Sequence, residues 1–530
     1  MRRKQRMWSL IILIAGSAPI SAGSSAVAQN AASPSVTAAV QVTNNPDAVR
    51  AHSSPQIARN PTNGELVVVE SDVRGSRSCD VHISADQGRS WFPGGGMMKD
   101  PYLDCSFYAE YGPYATTAFG VDGTLYVAFV ASEFLNRARD DTPRHVFLAR
   151  SNDGARTFQT SMVFEAPDGK PDRGLNKGPT LAVDPSDPQR VYVGWRQGVF
   201  NPQAKEKLKS NIAASADGGR TFGPPVDLTD ERGGDYPQIA VDSEGTVHAV
   251  YWTRVWPRTP PGEPGPVRPI MHTRSTDHGA TFSQPQEADP GNRSASRPAA
   301  LAADPDSGNL YLVWHGNAEI DNDGEDFAGD LDIFLRSSAD GGESWTDRLV
   351  VNDDESDVNQ YEPGIAIAPN GRVDIAWYDF RHTPSEPITS SGHSGDAGLS
   401  DVYYASSTDG GRSFGASARI TDRSIDRSLG VWSNNIDSKF NVGVASTDET
   451  VFVAWQDTRN AIGSTDAEDV YTATVQLNGV PAAAALTTRA NLWWAPVGAA
   501  FVLGMGVSML LAWLVTRRSP RPSGVAAEGT

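Results

Sequence analysis

One octapeptide pattern recurs six times along this chain of 530 residues, and it constrains the fold more than any other feature. A typical copy is Ser-Ala-Asp-Gly-Gly-Arg-Thr-Phe at 215–222, and the copies begin about 60 to 70 residues apart. Short repeats at such even spacing indicate an array of similar units rather than several unrelated domains. The aspartates of the six copies are Asp86, Asp153, Asp217, Asp277, Asp340 and Asp409.

The octapeptide has the composition of a hairpin turn. Its Ser, Thr and Asp side chains can accept hydrogen bonds from backbone N–H groups of the turn, and its glycines allow a positive φ. The terminal Phe or Trp can pack into the unit as a plug. One copy departs from the pattern, since Ala155 stands where the second glycine usually does. We therefore interpret the six aspartates as structural and look for chemistry elsewhere.

The repeated pattern resembles the Asp box, or bacterial neuraminidase repeat, of sialidase-like β-propellers. The resemblance covers residues 35–476 and implies an all-β propeller. It also implies that the Asp boxes lie on one face of the ring. The opposite face, here called the ligand face, then carries the loops from second to third strands and from fourth strands to the next first strand.

The strand pattern predicts the number of blades. Three strand-like segments precede each box and one follows it, which makes a four-stranded blade. First strands number seven, one more than the boxes, and the seventh unit stops after its third strand at 469–475. We expect 38–43 to supply its missing strand, because this closes the ring and removes two exposed edges. The alternative is six blades, the usual number in sialidases.

The two ends of the chain carry apolar segments outside the repeats. Residues 1–28 have the basic head and short apolar core of a signal peptide. Residues 491–516 are long and apolar enough to span a bilayer, and arginines follow in the tail at 517–530. With a linker at 477–490, these features predict a single-pass membrane protein whose propeller lies outside the cytoplasm.

The net charge and the cysteine content limit the classes of ligand and of metal site that the chain could have. A net charge of -19 argues against nucleic-acid binding, which requires clustered cations. In an exported chain, Cys79 and Cys105 are expected to form a disulfide rather than a metal pair or a catalytic thiol. The acidic segments 230–235 and 353–357 could ligate calcium, but such segments are more often solvated surface. No cofactor and no metal site is predicted.

Three second strands, in blades one, six and seven, end in an Asp-x-Arg pair, and ring closure makes these blades neighbours. The pairs are Asp72 and Arg74, Asp379 and Arg381, and Asp457 and Arg459. The arginines could form a ligand site, or each could staple its loop to the acid that opens the third strand, Asp80, Asp401 or Asp469. We expect stapling for at least two of the three pairs.

The resemblance also suggests catalytic candidates. Sialidases bind a carboxylate with three arginines and use a Tyr nucleophile, a partner Glu and an Asp acid/base. The first strand here, at 53–57, lacks the arginine of that family, and Arg297 in blade five is the one first-strand residue that resembles it. Tyr361 and Glu362 could serve as nucleophile and partner, with Asp80 as a third candidate.

The sequence therefore predicts a membrane-anchored, extracytoplasmic propeller that recognises glycans, and catalysis stays open. The alternatives are an exo-glycosidase of sialidase type and a docking platform for an envelope or surface protein. Metalloprotease, Walker and Gly-x-Ser-x-Gly motifs are absent from the sequence, so those chemistries have no support.

Overall fold

The structure is a computed structural model, and the part of the chain that it describes is a set of β-strands and their turns. The described residues are 34–44, 50–72, 78–97, 103–104, 115–133, 144–166, 175–198, 208–253, 268–292, 300–317, 331–356, 358–383, 398–430, 442–462, 465 and 467–477. The predicted signal peptide, membrane span and tail lie outside these residues, as do Arg74, Cys105 and Arg297. Within the described part, no helix has the length and apolarity to cross a membrane.

The described strands form seven antiparallel sheets that follow one another along the chain. Two short strands come first, β1 (Ser35–Val36) and β2 (Val40–Gln41). Blade one then contains β3 (His52–Arg59), β4 (Leu66–Asp72), β5 (Cys79–Ser84) and β6 (Phe92–Pro93). Blade two contains β7 (Leu103–Asp104), β8 (Ala115–Phe119), β9 (Leu125–Glu133), β10 (Arg144–Ser151) and β11 (Gln159–Phe164).

The next three blades repeat the four-stranded order. Blade three contains β12 (Leu175–Val183), β13 (Val191–Gly198), β14 (Lys209–Ser215) and β15 (Val226–Asp227). Blade four contains β16 (Gly234–Val241), β17 (Val247–Thr253), β18 (Arg268–Ser275) and β19 (Gln286–Asn292). Blade five contains β20 (Ala300–Ala303), β21 (Leu310–Asn317), β22 (Leu331–Ser338) and β23 (Leu349–Val350).

The last two blades complete the ring. Blade six contains β24 (Gln360–Ile367), β25 (Val373–Asp379), β26 (Leu399–Ser407), β27 (Ala418–Arg419) and β28 (Ile425–Asp426). Blade seven contains β29 (Gly443–Ser446), β30 (Thr450–Asp457) and β31 (Asp469–Gln476). Second strands such as β4 and β25 are buried along their whole length, since each blade packs between two others.

The N-terminal strands complete blade seven, as predicted. Val36 pairs with Val475 in β31, and Val40 pairs with Thr472. The hydroxyl of Thr43 donates to Asp469 at 3.0 Å and accepts from the Val470 N–H at 3.1 Å. The seven-bladed ring is therefore confirmed, and the six-bladed alternative is wrong.

The octapeptide folds as a side-chain-capped turn at the end of the third strand in blades one to six. In blade three, Ser215 Oγ donates to Asp217 at 2.8 Å and accepts from the Gly219 N–H at 2.9 Å. The same aspartate accepts from the N–H and the hydroxyl of Thr221 at 2.9 and 2.7 Å. In blade four, the equivalent bonds from Thr281 lower the pKa of Asp277 to about 2. The aspartates are thus held in their charged form by the turn.

Two further residues bear on the sequence interpretation. Ala155, the departure from the pattern, adopts the left-handed conformation that glycine usually supplies, with φ of 65°. Cys79 lies buried on β5, and no described cysteine is a free thiol. Because Cys105 lies outside the described residues, its disulfide with Cys79 stays a prediction.

Candidate functional site

The strand registers define the two ends of each blade. In blade one, Leu66 at the start of β4 pairs with Ser84, which opens the octapeptide turn, while the far end of β4 pairs with the start of β5. The ends of second strands and the starts of first and third strands therefore lie at the end opposite the octapeptides. This end of the ring, here called the mouth, carries the residues that the sequence singles out.

Arg381 is fully engaged by carboxylates at the mouth of blade six. Its guanidinium donates to both carboxylate oxygens of Asp379, at 3.0 and 2.7 Å, and to Asp353 at 3.0 Å. The guanidinium also lies 3.9 Å from the centre of the Tyr403 ring. These carboxylates raise the pKa of Arg381 even though burial opposes the shift.

Arg459 repeats this arrangement in blade seven. It donates to Asp457 at 2.7 Å, forms an ion pair with Asp422 at 2.9 Å and stacks 4.1 Å from the Tyr471 ring centre. In both blades the tryptophan two residues before the aspartate donates its indole N–H to that carboxylate at 3.0 Å. The sequence Trp-x-Asp-x-Arg is thus a small hydrogen-bonded unit.

The arginines are stapled, but not to the acids that the sequence predicts. Asp401 is bound instead by Arg419 at 2.6 Å, and Asp469 by both donors of Arg50 at 2.7 Å. Arg381 and Arg459 lie just after the ends of their second strands. There the chain segment that arrives from the preceding blade places Asp353 or Asp422 beside the guanidinium. Asp401 and Asp469 are thus bound by arginines that lie on the outermost strand or follow it. The prediction of partners was therefore wrong.

Blade one holds a different cluster, because its carboxylates face histidines. Asp72 accepts from the Ala51 N–H at 3.2 Å. Asp80 lies directly opposite Glu70 across β4 and β5 and accepts from Ser78 at 2.8 Å. Burial, and then the charge of Glu70, raise the pKa of Asp80.

Glu70 is the centre of this cluster. Both of its carboxylate oxygens lie 3.0 Å from His52 Nδ1, and one lies 3.2 Å from His82 Nε2. Burial disfavours the charged imidazole, but the Glu70 carboxylate outweighs it and raises the pKa of His52 to about 9. Sequence reasoning missed these three residues; their signal is polar residues within three strands, β3, β4 and β5, that otherwise read as core.

Tyr361 and Glu362 lie at the start of β24, on the mouth side of blade six. The Tyr361 ring packs edge-on against His315 and Phe380, with ring centres 5.4 and 5.8 Å apart. The Glu362 N–H donates to His315 Nδ1 at 3.3 Å. The two predicted catalytic residues are thus both buried beside a histidine from blade five.

Glu362 also belongs to a strained bulge that recurs around the mouth. First strands of blades one, three, four and six lose their register at the same place, directly before a proline. The residues there have φ between 44° and 54°: Ser54, Gly178, Tyr236 and Glu362. For residues other than glycine this conformation costs about 1–2 kcal/mol, and a following proline disfavours it further.

Arg427 is a buried cation that the sequence did not reveal. Its guanidinium lies 4.6 Å from the Tyr378 ring centre and donates to Ser400 at 2.7 Å. Burial lowers its pKa, although the charge of Glu468 opposes this. It sits where the chain passes from blade six to blade seven.

The acidic segments considered for calcium are engaged by arginines. Asp230 accepts from Arg232 at 2.9 Å, and Asp235 pairs with Arg196 at 2.9 Å. Asp353 is held by Arg381, as described above. These carboxylates thus have cationic partners from the chain itself.

Comparison with known proteins gives likeness in fold. No protein-family model and no curated protein matches the chain. Similar solved structures include an α-L-arabinanase of Penicillium chrysogenum complexed with arabinobiose, at 12% identity and TM-score 0.44, covering 84% of this chain and 100% of that one. A Hadza microbial sialidase has 15% identity and TM-score 0.43, covering 77% and 73%.

The endosialidase of phage phi92 is a third such structure, with 12% identity and TM-score 0.44, covering 85% of this chain and 71% of that one. At these identities the likeness concerns the fold alone. The chain's own seven blades and capped octapeptide turns carry the assignment. In fold, the chain is a seven-bladed β-propeller.

Proposed function

We propose that this protein binds a glycan at the mouth of its propeller and does not hydrolyse it. In this proposal the propeller lies on the outer side of a membrane that the C-terminal segment spans. The observation that carries the proposal is the repeated strained bulge at the mouth. Strained backbone conformations persist where the surrounding structure enforces them, and they cluster at ligand sites. A bulge also redirects the side chain at its centre.

The residues of the bulges have the chemistry of sugar recognition. Ser54 supplies a hydroxyl, Tyr236 an aromatic ring with a phenol, and Glu362 a carboxylate. These groups hydrogen-bond to sugar hydroxyls or pack on the apolar face of a sugar ring. The bulges recur in several blades, so these groups lie at equivalent positions around the mouth, with Ser54 and Glu362 buried there.

The arginine pairs favour a neutral glycan over an acidic one. Arg381 and Arg459 each bind two carboxylates of the chain and stack on a tyrosine. Binding a substrate carboxylate would break these ion pairs and leave Asp379 or Asp457 buried without its cation, which costs several kcal/mol. These two residues therefore support stapling and speak against a sialic-acid clamp.

A docking platform is less well supported by the described residues. Their exposed large apolar side chains are scattered over four blades rather than gathered in one patch: Phe92, Val121, Met162, Val350 and Ile462. Membrane anchoring rests on the sequence at 491–516, and export on residues 1–28. Protease protection of the tail at 517–530 in intact cells, with digestion of the propeller, tests that topology.

A glycan array probed with the purified full chain in detergent tests the binding proposal. The expected result is binding to neutral glycans, with no turnover in a fluorogenic glycoside panel. Glu362→Gln and Tyr236→Phe are expected to weaken binding about tenfold or more. Glu343→Gln, which changes an exposed carboxylate at the octapeptide end of blade five, should leave binding unchanged. Equal binding by all variants, or turnover of a glycoside, contradicts the proposal.

A further inference from the structure

We propose that blade one holds a divalent metal ion of the zinc type, bound by His52, Glu70 and Asp80 on the side that faces blade seven. The donor atoms of these three residues all lie within 4.8 Å of one another. Ligand atoms of a tetrahedral zinc ion lie about 2.1 Å from the metal and therefore about 3.4 Å apart. Small side-chain rotations are enough to bring the three onto one ion.

His82 lies next to these three residues and would be the fourth ligand. His82 Nε2 lies 3.2 Å from Glu70. The strand register explains the convergence, because directly paired residues point to the same side of a sheet. His52 pairs with Asp72, which is two residues from Glu70 on β4 and so points to the same side. Glu70 pairs with Asp80, and His82 is two residues from Asp80 on β5, again on the same side.

The same side of the blade packs against blade seven. Leu66 and Val68, which alternate with Glu70 on β4, belong to a buried cluster with Phe452 and Ala454 of β30. Alternation on β30 places Gln456 on this side as well. The cluster of titratable groups and Gln456 therefore both face the interface at which the ring closes.

Two groups at this interface are buried with unfilled hydrogen-bonding capacity. His52 is 2% exposed, and its Nε2 atom has no hydrogen-bond partner among the described residues. The side-chain amide nitrogen and oxygen of Gln456, which is fully buried, likewise have no partner in this part of the chain. A buried polar atom without a partner is destabilising unless something binds it. This observation is independent of the acidic cluster, and an ion with its bound water supplies partners for both groups.

The donor set selects the kind of metal. Two imidazoles with carboxylate oxygens suit zinc and related transition ions, whereas calcium takes six to eight oxygen ligands. A metal ion would also neutralise the two facing carboxylates of Glu70 and Asp80. It would add a coordinate link in blade one at the seam between the first and last blades.

The test is metal titration of the full chain in detergent after treatment with a chelator. We expect one tightly bound Zn²⁺ per chain, measured by calorimetry, and visible d–d bands when Co²⁺ takes its place. Asp80→Asn, which has the shape of the protonated acid, should fold and bind Zn²⁺ at least tenfold more weakly. Glu70→Gln should also fold and bind Zn²⁺ at least tenfold more weakly. If Glu70→Gln does not fold, the Zn²⁺ affinity of Asp80→Asn is the deciding measurement.

The matched control is His382→Asn, which removes a second histidine–carboxylate pair, 2.9 Å from Asp401 and outside the cluster. Zn²⁺ binding should be unchanged in this variant. Unchanged affinity in Asp80→Asn overturns the proposal, as does a preference for Ca²⁺ or the loss of binding in His382→Asn. In those cases the cluster is a buried ion-pair network that is complete without a metal ion.

Discussion

Gly219 of blade three packs its bare Cα against Leu148 of blade two, so a methyl group there would collide with the Leu148 side chain. Gly219 also has φ of 75°. Gly219→Ala should therefore lower the free energy of unfolding by about 2–4 kcal/mol, from left-handed strain and overpacking. Urea denaturation followed by fluorescence measures this loss.

The control lies in the same hairpin. Gly223 has no positive φ, and its nearest neighbour, the Ala214 carbonyl oxygen, would be 3.7 Å from an added methyl group. Gly223→Ala should change stability by less than about 1 kcal/mol. Equal losses in both variants would show that the blade contact at Gly219 is unimportant.

Thr43 is a second site at which a small change should matter. Its buried hydroxyl joins the Asp469 carboxylate to the Val470 N–H, and thus ties the N-terminal segment to β31. Thr43→Val should lower the free energy of unfolding by about 2 kcal/mol, since a bond to a charged group is lost. Thr37→Val, at an exposed position of the same segment, removes only a neutral bond from the Thr474 N–H and should change it by about 1 kcal/mol or less.

Arg381→Ala separates stapling from ligand binding. Loss of the guanidinium leaves Asp379 buried without its cation, so we expect a loss of about 3 kcal/mol in unfolding free energy. Glycan binding by the fraction that stays folded should be unchanged. Exposed Arg412 donates to the Asp409 carbonyl, and Arg412→Ala should change stability by less than about 1 kcal/mol. A binding loss at unchanged stability would assign Arg381 to the ligand site.

Acid should destabilise the protein through a buried histidine of blade four. Burial, with the neighbouring His248 next in effect, lowers the pKa of His272 to about 3. Because this pKa lies below the unfolded value of about 6.5, its stabilising contribution is complete above pH 6.5 and is lost as the pH falls towards 3. His272→Leu should flatten the fall in unfolding free energy across that range, relative to the wild type and to exposed His278→Asn.

Strain at Glu362 predicts opposite effects on stability and binding. Glu362→Gly should raise the free energy of unfolding by about 1 kcal/mol, because glycine adopts the positive φ without steric strain, and it should abolish glycan binding. Ala366→Gly, on the same strand, should instead lower stability by about 1 kcal/mol. A less stable Glu362→Gly variant would show that the carboxylate is needed for the fold.

Periodic features of the sequence predicted the architecture. The side-chain pairings between residues far apart in the chain could not be predicted from the sequence. The count of first strands predicted seven blades and their closure, because each blade repeats one local pattern. The partner of Arg381 was missed because Asp353 reaches it from the preceding blade, and sequence spacing does not show which loops meet. His52 and Glu70 were missed since they sit inside strands that otherwise read as core.

Closure of the ring also sets an order of events in time. Val36 belongs to one of the first strands to be synthesised, and Val475, its partner, to the last. The N-terminal strands therefore stay unpaired until nearly the whole propeller has been made, and contacts of such long sequence separation form slowly. The early blades keep an open edge until that final strand follows.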